Sequence, residues 1–148
     1  MTLIDTNVVS ELMRRAPEPA VVRWMNHQPS SLLHVAAVSI AEIRYGIRIL
    51  PQGRRRDDLQ YRFDRFVSSG FAERVLDFDW GAASLYGEIM GSRREIGRPM
   101  SVVDGQIAAV ARARGCQLAT RNVADFEACG LELVNPWAYE SEGQPSPP

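Results

Sequence analysis

Lysine is absent from this chain: all 17 basic residues are arginine. That excludes a phosphate loop ending in Gly-Lys-Ser/Thr, a lysine Schiff base, and any site that sets a lysine beside an acidic cluster. A GC-rich genome produces the same bias, so the absence limits the chemistry without naming one. Cysteine and histidine are scarce, two of each. Cys116 and Cys129 fit no zinc or CxxC spacing and read as small buried hydrophobes of a reducing compartment. His27 and His34 sit in no metal-binding pattern, and His34, inside an apolar strand, reads as a core residue. No apolar run reaches transmembrane length. No charged-then-apolar leader opens the chain, because Asp5 interrupts it. A cytoplasmic protein is expected. Charge of one sign is lacking too: the net charge is −1, so any affinity for nucleic acid must come from a local patch.

What is present suits one globular domain, with 148 residues, 45% of them hydrophobic and 24% charged. Met1 to Asp5 reads as a buried strand and Thr6 to Met13 as a short helix. A second helix carries Val21, Val22, Trp24 and Met25, and stops near Pro29. Leu32 to Val38 is a near-continuous apolar run of strand length, as in a parallel sheet buried on both faces. Helices follow over Ser39 to Leu50 and Arg54 to Ser68, separated by Pro51-Gln52-Gly53. After a brief strand at Val75-Leu76, Asp79 caps a long helix ending at Gly97, and Ser101 opens an alanine-rich helix that Gly115 ends. Gln117 to Thr120 is a strand, Asn122 to Cys129 a short helix and Leu131 to Val134 a last strand. The alternation predicts an α/β fold, a three-layer sandwich with a mostly parallel central sheet flanked by helices. The domain spans 1–139, and the polar, proline-rich stretch 140–148 is expected to be a disordered tail.

Four carboxylates stand where such a fold would collect them. Asp5 closes the first strand, Glu42 lies three residues after Ser39, Asp104 three after Ser101, and Asp125 three after Asn122. Each trio reads as the cap and third residue of a helix. Taken singly, each acid is equally well explained as a local cap worth about 1 kcal/mol, favoured further by the helix dipole. Taken together they are not, because ligands in α/β sheets bind beyond the carboxyl ends of the strands, where helix N-termini gather. Two carboxylates ~4 Å apart there repel by roughly 4 kcal/mol at an effective dielectric near 20. Glu42 and Asp104 have apolar sequence neighbours, so burial is expected, and few arginines lie near enough to pair with them. A divalent cation relieves the repulsion, and oxygen-only ligands favour Mg²⁺ or Mn²⁺.

The motifs resemble those of a known family. Leu3-Ile4-Asp5-Thr6-Asn7-Val8, Val38-Ser39-Ile40-Ala41-Glu42-Ile43, Asp104 at a helix start, and Ala119-Thr120-Arg121-Asn122-Val123-Ala124-Asp125-Phe126 are similar to the four motifs of PIN-domain ribonucleases, followed by Asn135-Pro136-Trp137. The likeness covers residues 1 to about 139 and is closest to the VapC/FitB-like toxins of bacterial toxin–antitoxin pairs. It implies that Asp5, Glu42 and Asp104 are the core catalytic and metal-site acids. Relatives place the fourth acid at either of two positions. Asp125 is favoured here, with Asn122 as a polar contact to substrate or to the other ligands. Asn7 is a further supporting polar group, and Thr6 and Thr120 either orient a water or carboxylate or serve as plain caps. The resemblance also implies an RNA substrate, a homodimer, and an antitoxin whose DNA-binding head carries a tail that occludes the acidic groove. The helix pair Ser39–Leu50 and Arg54–Ser68 is the expected clamp for that tail.

The implied reaction is metal-assisted phosphodiester hydrolysis, with one or two metals. Charge for RNA is expected from Arg44 and Arg48, which follow Glu42 on its helix, and from Arg121, which adjoins the last motif. Arg54-Arg55-Arg56 and Arg93-Arg94 with Arg98 could extend the track, although the Arg54–Arg56 run reads more readily as a solvated helix end. Two rivals remain open: a metal-dependent phosphatase or DNA nuclease using the same acids, and a catalytically weak subunit that only binds RNA or its antitoxin. A receiver-type signalling domain is disfavoured by the missing lysine.

Overall fold

Strand side chains alternate between two faces, and the short apolar runs of this chain divide accordingly. Leu3, Ala36 and Leu118 face one helical layer, while Ile4, Leu33, Val35 and Ala119 face the other. The computed structural model describes residues 1–140. Their five strands are β1 (Thr2–Ile4), β2 (Leu33–Ala36), β3 (Val75–Leu76), β4 (Gln117–Ala119) and β5 (Leu133–Val134). They form one sheet in the order β3-β2-β1-β4-β5, and every pairing is parallel. On the first face lie α5 (Trp80–Glu95), α6 (Val102–Ala113) and α7 (Val123–Phe126), with Ile89, Ile107 and Phe126 in the core. Against the second lie α1 (Thr6–Leu12), α2 (Pro19–His27), α3 (Ala37–Arg48) and α4 (Arg54–Arg65), burying Val8, Val9, Val21, Trp24, Ile47 and Phe63. The three-layer α/β sandwich follows. No helix among the described residues is long and apolar enough to cross a membrane.

Gly105 lets α5 and α6 close on one another. A Cβ there would run into Met90 and stand 3.0 Å from the Tyr86 ring. The next residue back in the chain is Asp104, so this close helix pair also holds one wall of the acidic site.

The structure corrects several expectations. The apolar run from Leu32 to Val38 is not one strand: only Leu33–Ala36 is extended, and Ala37 and Val38 are already helical. A buried first helical turn is as apolar as a buried strand, so hydrophobicity alone does not separate them. Ser39 is consequently no cap. It is the third residue of α3, fully buried, and Glu42 falls in the second turn. The helix from Arg54 stops at Arg65, and Phe66–Phe71 continues as a wider turn that sets the Phe66 and Phe71 rings 5.0 Å apart. His34 is half-buried rather than core, its Nδ1 3.1 Å from the Leu32 carbonyl oxygen. The expected disordered tail at 140–148 lies, apart from Glu140, outside the described residues.

Candidate active site

β1 runs up the centre of the sheet. The chain then builds β2 and β3 on one side and returns to place β4 on the other. The reversal opens a crevice between the carboxyl ends of β1 and β4, where α/β sheets bind ligands. Asp5 and Thr120 are the residues that follow those two strands. The Asp5 amide donates to the Ala119 carbonyl at 2.9 Å, and the Thr120 hydroxyl donates to Asp5 Oδ2 at 2.8 Å. Asp5 also caps α1, its Oδ1 accepting from the Thr6 amide at 2.7 Å. The carboxylate is thereby aimed by both strands at once.

A cavity of about 500 Å³ opens here, and Asp5, Glu42 and Asp104 share its lining. Each reaches it from a different element: the end of β1, the second turn of α3 and the first turn of α6. Ser101 caps α6, accepting from the Asp104 amide at 3.2 Å, as the sequence spacing predicts. Of the four acids only Asp5 is buried, at 4% exposure. Asp104 is half-buried, and Glu42 and Asp125 are exposed, so an apolar neighbourhood in sequence was a poor guide to burial. Asn122 lies on the cavity wall and Asp125 does not. Asn122 precedes α7 without a side-chain cap bond, and its amide donates instead to the Thr120 hydroxyl at 3.0 Å.

The acids have no counter-cations. None of the ion pairs among the described residues involves Asp5, Glu42, Asp104 or Asp125. Burial, reinforced by the charges of Asp104 and Glu42, pushes the Asp5 carboxyl from 3.8 up to about 6, against the lowering effect of its bonds from Thr120 and Thr6. Asp104 is raised as well, first by burial and also by the nearby Asp125, while Ser101 opposes the rise. The Thr6 hydroxyl oxygen is buried beside Asp5 and bonds to nothing in the protein. Among the described residues no three Asp, Glu, His or Cys groups stand close enough to grip one ion unaided. Such an oxygen-only, loosely spaced set suits a hard cation that keeps several of its own waters, the habit of Mg²⁺.

The rim supplies positive charge from two arginines, Arg14 and Arg121. Arg121 stacks over Trp137, 5.3 Å from the ring centroid, and its amide donates to Asn7 Oδ1 at 3.4 Å. Asn7 in turn donates to the Thr120 hydroxyl at 3.4 Å, so the rim is tied to the Asp5 carboxylate by hydrogen bonds. Arg14, in the turn after α1, sits 3.2 Å from the buried Glu11 of that helix, an i,i+3 pair whose spacing is visible in the sequence. Arg44 is turned away from the cavity. It pairs with Asp64 of α4 at 2.8 Å and lies over the Phe63 ring. Arg93 and Arg98 do not extend a track either. Arg93 is buried and donates to the Glu127 carbonyl at 2.7 Å, and Arg98 holds the Glu127 carboxylate at 3.1 Å and the Ala124 carbonyl at 2.8 Å.

The PIN domain family model matches residues 2–128. VapC ribonuclease Y4jK of Sinorhizobium fredii is 40% identical over 93% of this chain and 98% of its own length. Toxin FitB of Neisseria gonorrhoeae is 34% identical over 93% and 99% respectively. The solved structure of FitAB bound to a DNA fragment superposes with a TM-score of 0.87 at 33% identity, covering 97% of this chain and all of that one. With the family model matching most of the chain and two relatives above 30% identity over nearly its whole length, the chain belongs to the PIN-domain family, in its VapC/FitB branch.

Proposed function

We propose that this chain is a Mg²⁺- or Mn²⁺-dependent endoribonuclease acting as the toxin of a toxin–antitoxin pair. The observation that carries the reading is the convergence of Asp5, Glu42 and Asp104, all without counter-cations, on one cavity at the switch point of the sheet. Relatives named as a VapC ribonuclease and as Toxin FitB support RNA as the substrate and toxicity as the outcome. Asp5 and Asp104 would hold the cation, with Glu42 beside them. A divalent cation supplies a charge that meets the scissile phosphate and lowers the pKa of a bound water.

The chain's own groups do the rest. Thr6 and Thr120 hold the Asp5 carboxylate in one orientation, so little reorganisation is needed when the substrate arrives. Glu42, exposed on the cavity wall, accepts the proton of the attacking water as its oxygen bonds to phosphorus and the leaving oxygen departs. Arg121, fixed on Trp137, offsets the phosphodiester charge that the acids would otherwise repel.

An antitoxin partner belongs to the same reading, supported by a structural neighbour solved as FitAB on DNA, and a homodimer is proposed with it. Tyr45 on α3, Ile49 at its C-terminal end and Tyr61 on α4 are exposed, at 68%, 64% and 62%, on the helix pair suited to clamp an antitoxin tail. Exposed apolar groups of this size mark contact surfaces.

The test offers the purified protein single-stranded RNA and DNA of the same sequence with Mg²⁺, Mn²⁺ or EDTA. Cleavage of RNA with either metal and none in EDTA is expected. Cleavage of DNA alone would make the chain a deoxyribonuclease, and binding of RNA without turnover under every metal would make it a silent subunit. The fourth position is resolved in the same assay. Asp125→Asn is expected to weaken Mn²⁺ binding by less than about tenfold, because Asp125 acts on Asp104 from outside the cavity lining. Asn122→Ala is expected to slow single-turnover cleavage more than Asp125→Asn does. The reverse order would restore Asp125 as a direct ligand.

A further inference from the structure

Next to the acid cavity lies a larger depression, about 840 Å³, and the two share Ser10 and Arg14 in their walls. Five arginines line it, Arg14, Arg15, Arg54, Arg55 and Arg62, against a single acid, Asp58. Two of the five are neutralised within the fold. Arg62 lies 3.1 Å from the Asp58 carboxylate and donates to the Met13 carbonyl at 2.6 Å, which ties α4 to the end of α1. Arg14 is held by Glu11, whose carboxylate also accepts the Glu18 amide at 3.0 Å. Arg15, Arg54 and Arg55 are exposed and enter no ion pair among the described residues. Three uncompensated cations therefore face one concave surface beside a cavity of the opposite sign.

Local stability does not account for this placement. Arg54 and Arg55 are the first two residues of α4, at the positive end of its dipole, where a cation is unfavourable. The sequence alone makes Arg54-Arg55-Arg56 a solvated helix end. Folding instead brings Arg54 and Arg55 across from Arg15, about forty positions earlier in the chain, onto the wall of one depression.

We propose that this depression is the path of the RNA strand as it leaves the acid cavity. Arg15, Arg54 and Arg55 hold phosphates flanking the scissile one, and Arg14 marks the junction. The assignment rests on the ribonuclease reading and extends it. A substrate cleaved internally must continue beyond the acids, and the wall shared at Ser10 and Arg14 leads directly from the acid cavity to the three uncompensated arginines.

The test measures binding of a labelled single-stranded RNA of about twelve nucleotides in EDTA, by fluorescence anisotropy across a salt series. It compares the parent, the pair Arg54→Ala/Arg55→Ala and the pair Arg54→Lys/Arg55→Lys, after circular dichroism confirms equal helix content. The alanine pair is expected to raise Kd at least about tenfold at low salt and to flatten the slope of log K against log salt by about 1.4, roughly 0.7 for each phosphate that is no longer neutralised. The lysine pair should recover most of both. An alanine pair that binds like the parent with the same slope would overturn the RNA path, as would a lysine pair no better than alanine. A glutamate-rich peptide that binds the parent as tightly as RNA, with the same dependence on the two arginines, would transfer the depression to an acidic protein partner. A parent that cleaves RNA but does not bind it in EDTA overturns the path alone, whereas a parent that does neither overturns the ribonuclease reading with it.

Discussion

Asp104→Asn is expected to slow single-turnover RNA cleavage by about a hundred- to a thousandfold, the scale on which a preorganised charge at a reacting phosphate acts. Asparagine keeps the shape and removes one negative charge from the cavity. The fold should tolerate it. Asp104 is only half-buried, and the Ser101 cap bonds its backbone amide, which the substitution leaves in place. Thermal stability in EDTA should stay within about 1 kcal/mol of the parent. A stabilising role for the Asp104 charge is opposed by its effect on Asp5, whose carboxyl it helps to raise. A variant that keeps a tenth or more of the parent's rate would remove Asp104 from the reacting set.

Asp5→Asn is expected to be inactive and, without metal, more stable than the parent at neutral pH. The folded carboxyl titrates at about 6, above its ordinary 3.8, so between these values the native state holds a proton that the unfolded chain has released. Stability therefore falls as pH rises through that window and levels off above about 6. The whole rise corresponds to roughly 3 kcal/mol, carried by a residue with almost no solvent exposure. Asparagine does not ionise. In EDTA its melting temperature should exceed the parent's by several degrees at pH 7, and the gap should close near pH 4. Adding Mn²⁺ at pH 7 should raise the parent's melting temperature and leave the variant's nearly unchanged, since binding to the native state alone is what stabilises it. A parent whose stability does not fall between pH 4 and 7 relative to Asp5→Asn would show that the buried charge is not strained.

Asp5, Ser101 with Asp104, and Asn135-Pro136-Trp137 were legible in the chain because each is set by neighbours a few residues away. A short apolar strand ending in an acid and a serine three residues before another need no tertiary context. The same locality misled at Ser39, where an apolar helical start imitates a strand, and at Glu42, whose apolar neighbours in sequence leave it exposed. Arginine roles were the least legible. Arg44, Arg93 and Arg98 looked free and are bound to Asp64, Glu127 and nearby carbonyls, while Arg54 and Arg55, which read more readily as a solvated helix end, line a cavity.

By itself the sequence determined the alternating α/β order, the cap of the Asp104 helix and the acids available for an oxygen-ligand site, because all of these are short-range consequences of periodicity and charge. Only the tertiary structure decided that Thr120 would aim Asp5, that Asn122 would line the cavity, and which arginines would remain uncompensated. Asp5 is aimed by a partner 115 positions away, and Arg44 is drawn off by one 20 positions away. A long, flexible guanidinium accepts whichever carboxylate or carbonyl the packing of the helices brings within about 3 Å.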